Sequence, residues 1–199
     1  FAMRATIARL RLQKTRSNSV RGQTSLLVYG HPSSNANGHD AYFGSIMNGI
    51  PNLCRMLHTD ADVSLTQKLA KDGKTCGLHA WGSVLFAPML VFQRWKPRPS
   101  DLKGHYSWIL RRAVTLENAT AAPASNRWQM HCQKRWLETQ RPKTVVWPWE
   151  NHPWEREFCR CAKKYQVNTI GYQHAVIGPH QFNQGLASNP DGLVSIPNR

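Results

Sequence analysis

Apolar residues in this chain come in short blocks parted by turn-forming residues, not in one long stripe. Ser25-Leu26-Leu27-Val28-Tyr29-Gly30 is a compact apolar run closed by glycine, which predicts a buried strand. The loop over residues 31–38 is rich in His, Pro, Ser, Asn and Gly. Asp40 then stands as the N-cap of a predicted helix on which Phe43, Ile46 and Met47 recur at helical spacing. Residues 62–70 predict a helix ended by Asp72-Gly73, and residues 77–92 an αβ or βα passage broken at Pro88. Pro97 and Pro99 enforce a loop. Residues 118–126, small and polar, predict a connector, and residues 128–140 an amphipathic helix carrying Trp128, Cys132, Trp136 and Leu137 on one side.

The last third is the most regular. Thr144-Val145-Val146-Trp147 predicts a strand stopped by Pro148, and Pro153 sits at the first position of a helix capped by Asn151 or His152. That helix, residues 154–164, has Glu155 and Glu157 early and Lys163 and Lys164 late, as the helix dipole favours. A second strand follows over residues 168–173. A strand–helix–strand unit of about 30 residues implies two parallel neighbouring strands. The expected fold is therefore α/β, a Rossmann-like parallel sheet with helices on both faces. Residues 25–183 form that domain, residues 1–24 a basic lead-in, and residues 184–199 a linker or the start of a second domain.

Composition narrows the class. The chain has 199 residues with 26 Lys+Arg against 11 Asp+Glu, a formal charge of +15, and 41% hydrophobic residues. That apolar content excludes a disordered chain, and the longest apolar run, residues 84–92, is too short to cross a membrane. Five cysteines at irregular spacing argue against a disulfide framework and for a reducing compartment. The cysteine and histidine spacings match no metal-site pattern, so no metal is expected. No glycine-rich phosphate loop of the dinucleotide or P-loop type follows the first strand.

Ligands of open parallel sheets bind beyond the carboxyl ends of the strands. The two strands of the last unit lead into Glu150 and into His174, which places a carboxylate and an imidazole on one rim, suited to acid–base work or to clamping sugar hydroxyls. These same segments, Val145-Val146-Trp147-Pro148-Trp149-Glu150-Asn151-His152-Pro153-Trp154-Glu155-Arg156 and Thr169-Ile170-Gly171-Tyr172-Gln173-His174, resemble a paired signature of bacterial surface-polysaccharide glycosyltransferases of GT-B type, with Trp149 where the family more often has Tyr. Gly38-His39-Asp40-Ala41-Tyr42-Phe43-Gly44 resembles the segment after the first strand of their N-terminal domain.

The resemblance implies a nucleotide-sugar donor as substrate, no separate cofactor, and a glycan or lipid-linked acceptor. It implies Glu150 or Asp40 as base and His174 as acid or sugar clamp. Asn151, Gln173 and His39 would bind substrate, with Trp149 and Trp154 as stacking surfaces. It also implies that these residues belong to the first of two domains. The setting would be cytoplasmic or peripheral at the inner membrane face, with segment 1–24 as the anchor to anionic lipid. Glu155, Glu157 and Arg156 read as helix-surface charges with a capping role.

The competing reading is a basic nucleic-acid-binding module without catalysis, favoured by charge but matching no known binding motif. A cysteine nucleophile at Cys132 or Cys159 ranks lower, since both fall on predicted helix faces, and the serine-hydrolase elbow is missing.

Overall fold

The computed structural model describes residues 1–150, 152–173 and 197–198. Five strands, β1 (Thr24–Val28), β2 (Leu53–Leu57), β3 (Thr75–Gly77), β4 (Thr144–Pro148) and β5 (Asn168–Tyr172), form one sheet in the order β3-β2-β1-β4-β5. Every pairing is parallel. This is the strand order of doubly wound sheets, with its reversal between β1 and β4. The unit β4–α6–β5, with α6 spanning Pro153–Lys164, pairs Thr144 with Asn168 and Pro148 with Tyr172, as the sequence predicts.

Alternation along the strands divides the core in two. Leu27, Cys54, Met56, Val145 and Trp147 face α1 (Ala2–Leu12), α5 (Ala122–Gln140) and α6. Leu26, Val28, Leu53 and Leu57 face the other way, toward Met47 of the short α2 (Ile46–Gly49) and Leu69 of α3 (Val63–Leu69). Trp128, Trp136 and Trp147 are fully buried in the first layer. Truncating any of them to Ala would cost about 3–5 kcal/mol. Helix α3 begins at Asp62, whose carboxylate accepts the Ser64 and Leu65 N–H groups, and the chain turns after it at Gly73 with φ +69°.

Three sequence expectations are corrected, and one strand went unread. Residues 118–126 are not a connector: α4 (Ser107–Asn118) and α5 are separated by three residues, and Pro123 sits in the first turn of α5. The helix expected from Asp40 is only α2, because Asp40 instead closes a tight bridge with Gly44. Strand β2 escapes the apolar pattern because Arg55 interrupts Leu-Cys-Arg-Met-Leu, yet all five residues are buried.

Segment 1–24 is also no lead-in. Ala5, Ala8 and Leu12 are buried, and Leu12 lies so close to Gly77 that a Cβ there would approach it to 2.8 Å. Thr15 Oγ1 accepts from Gly77 N–H, Arg9 donates to the Gly82 carbonyl at 2.7 Å, and Arg16 lies over the Trp81 ring at 4.2 Å. Arg9 and Arg16, which read as part of a solvated lead-in, instead tie α1 and the turn after it to the segment beyond β3, and Thr15 ties that turn to β3 itself.

No helix among the described residues is long and apolar enough to cross a membrane.

Candidate functional site

At the reversal point, β1 runs into Tyr29, β2 into His58 and β4 into Trp149 and Glu150. The Tyr29 ring stacks on His58 with centroids 4.7 Å apart, and Trp154, in the first turn of α6, meets His58 edge-on at 4.4 Å. The His152 ring meets Tyr29 edge-on at 6.4 Å. His58 is so enclosed that neither ring nitrogen has a hydrogen-bond partner. Burial, reinforced by nearby His152, lowers its pKa to about 3, so the ring is neutral at physiological pH. Burial also raises the Tyr29 phenol well above its ordinary value.

In front of this aromatic wall, Glu150 Oε2 and His152 Nε2 lie 2.7 Å apart, with side chains 35% and 46% exposed. Their backbone is fixed from behind by Glu155, whose two carboxylate oxygens accept the Glu150 N–H at 3.1 Å and the His152 N–H at 2.6 Å. A glutamate at the third helical position reaching back to the capping residue is half of a capping box. Glu155 is fully buried, which pushes its pKa up to about 7, while the two N–H bonds pull it down. It is therefore not the surface charge that the charge pattern of α6 suggests, although its capping role is as read. A carboxylate hydrogen-bonded to an imidazole at a partly open rim can take a proton from a hydroxyl and hand it on.

The other expected residues scatter. Asp40 is wholly buried: its carboxylate accepts the Tyr42 and Phe43 N–H groups and lies 3.7 Å from Arg55. Arg55 also donates to Asp72 at 3.0 Å, to Thr75 and to the carbonyls of Asn35 and His39. Asp40 is thus a structural anion that shapes the loop after β1, out of reach of a substrate. His39 contributes that carbonyl while its side chain is exposed. Trp154 is buried against His58 and offers no face to a sugar. Trp149 is half-buried, and its N–H extends the β4–β5 pairing by donating to the Tyr172 carbonyl at 2.8 Å. Gln173 lies exposed just past β5. Asn151 and His174 lie outside the described residues, so the expected Glu150–His174 pair is not on view.

Sequence reasoning missed His58, because its strand went unread, and took His152 only as a cap. The signal for His152 was present: a Glu-x-His spacing directly after a strand.

Among the described residues no three His, Cys, Asp or Glu side chains cluster as metal ligands. All five cysteines are free; Cys132 and Cys159 are buried, and burial pushes both thiols up, Cys159 to about 12, which leaves them poor nucleophiles. A cavity of about 620 Å³ lies between residues 93–96 and α5, and one of about 290 Å³ beside Phe86, His131 and Cys161; neither is lined by the strand ends. No protein-family model, curated protein or solved structure matches the chain.

Proposed function

We propose that this chain is the first domain of a GT-B-type glycosyltransferase that builds bacterial surface polysaccharide, with Glu150 and His152 as its acid–base pair. The observation that carries the reading is the 2.7 Å Glu150–His152 contact on the rim beside the strand reversal, inside the segment that resembles that family. In the step, the pair takes the proton from an acceptor hydroxyl as its oxygen bonds to the anomeric carbon of the donor. The bond from that carbon to the nucleotide phosphate breaks, and its electrons leave with the phosphate. Glu150 holds the imidazole and stabilises the imidazolium as it forms. Glu155 keeps both residues in place from within the helix. A charge of +15 suits phosphorylated donors and lipid-linked acceptors at the inner face of a membrane.

Ligand-observed NMR with UDP- and CMP-linked sugars tests this on wild type and Glu150→Gln. The expected result is binding of one donor class, weakened in the variant, in which His152 loses the carboxylate that orients it at the site. Failure of every donor to bind the folded chain would overturn it. So would steeply salt-dependent binding of oligonucleotides, indifferent to Glu150→Gln, which would establish the nucleic-acid reading instead.

A further inference from the structure

Among the described residues, most of the exposed large apolar side chains lie in the segment 84–116, which is also strongly basic. Phe92 is 85% exposed and Leu85 83%, and Val91, Tyr106, Trp108 and Leu116 are exposed with them. Poor packing is not the cause. The turn Ala87–Phe92 buries Ala87 and Leu90 in the core and turns its other apolar residues out. Helix α4 buries no residue at all, although it carries Trp108, Ile109 and Leu116. Its inner face, Leu110, Ala113 and Val114, is only half-buried against the rest of the fold, so Trp108, Ile109 and Leu116 on the other side are left for something else to cover.

The two parts are joined. The Asn118 side chain accepts from Trp95 N–H at 2.7 Å and donates to the Trp95 carbonyl at 2.9 Å, which pins the end of α4 to the loop after Phe92. Interleaved with the apolar residues are six exposed cations, at positions 94, 96, 98, 103, 111 and 112, against one acid, Asp101, already paired with Arg98 at 3.2 Å.

We infer that residues 84–116 are a docking surface for an anionic lipid bilayer. Exposed aromatic rings sit well at the boundary between headgroups and hydrocarbon, and aliphatic chains such as Leu85, Val91 and Leu116 need hydrocarbon to bury in. Nucleic acid offers those aliphatic groups nothing to stack on, and a second copy of the chain would bring one cationic face against another. Anionic headgroups complement the same cations. The surface differs from the expected anchor, segment 1–24, whose helix is docked into the fold. Vesicle binding requires no donor or acceptor, so this inference stands or falls separately from the sugar-transfer reading.

Flotation with phosphatidylcholine vesicles, with and without phosphatidylglycerol, tests it on the 199-residue chain. The wild type is expected to float with the anionic vesicles. Arg111→Gln with Arg112→Gln should weaken binding by about fivefold for each cation removed. Phe92→Ser, at a side chain that supports no packing, should weaken it while leaving circular dichroism and the unfolding midpoint unchanged. Arg21→Gln with Lys143→Gln removes the same charge at two exposed positions near the amino ends of β1 and β4 and should change little. Equal loss in that control would mean binding by overall charge alone and would overturn the assignment. So would absence of binding by the folded wild type, or a dimer in sedimentation velocity that Phe92→Ser dissolves.

Discussion

Asp40 and Glu150 both lie in loops that follow strands of one parallel sheet, Asp40 after β1 and Glu150 after β4. Asp40 is enclosed, its oxygens taken by backbone N–H groups of its own loop, with the Arg55 guanidinium beside it. Glu150 is about one-third exposed and hydrogen-bonded to an imidazole. The first carboxylate has a fixed neighbour for its charge and shapes a loop. The second shares a titratable partner and faces the rim. Position after a strand brings an acid to the site end of the sheet, and the partner decides whether it holds the structure or stays available to chemistry.

Replacing Arg55 by Met should break the first cluster most severely, since it leaves Asp40 and Asp72 buried without their cation. A loss of about 3–5 kcal/mol in urea-unfolding stability is expected. A loss below about 1 kcal/mol would mean that the cluster is dispensable and the contrast with Glu150 false.

Acidification comes next in size. Buried His58, with its pKa near 3, and His79 and His131, with theirs near 4, are neutral in the fold and take up protons on unfolding below their ordinary value of about 6.5. Glu155 has the opposite sign: its folded pKa of about 7 lies above the unfolded value, so its contribution is complete in acid and is lost as pH rises through 7. Three histidines outweigh one carboxyl. Stability should fall by on the order of 3 kcal/mol between pH 7 and pH 5, and Glu155→Gln should steepen the fall. A stability flat across that range would contradict the burial of His58.

Smaller still is Glu155→Ala, which removes the back-bonding that fixes residues 150–152. It should cost about 1–2 kcal/mol, measured by thermal unfolding, and should loosen the Glu150–His152 pair. Smallest is Glu150→Gln, within about 0.5 kcal/mol of wild type in stability. A larger loss would place Glu150 with Asp40 as a structural anion.

Much of this architecture was legible. The strand at 144–147, the proline-led helix and the strand at 168 follow from local signals that agree with one another, and β1 from its apolar run. The failures share a cause: a residue whose local meaning is reversed by a distant partner. Arg55 hides a buried strand because its partners Asp40, Asp72 and Thr75 come from elsewhere in the chain. Arg9 and Arg16 read as solvated because their partners, Gly82 and Trp81, lie far ahead in sequence. Glu155 read as a surface charge because nothing in the helix pattern shows which side the aromatic wall covers. At the site, the position of Glu150 was legible but its partner was not, since His152 two residues away read as the cap of the following helix.

The docking of α1 also sets a timetable for synthesis. Arg9 binds the carbonyl of a glycine 73 positions further along. At about 5–20 residues per second, the helix waits roughly 4–15 s before its partner exists. During that interval Ala5, Ala8 and Leu12 have at most part of their sheet to cover, since β4 and β5 are still to come, so a nascent chain halted before Gly82 should recruit holding chaperones, and one released beyond β5 should shed them.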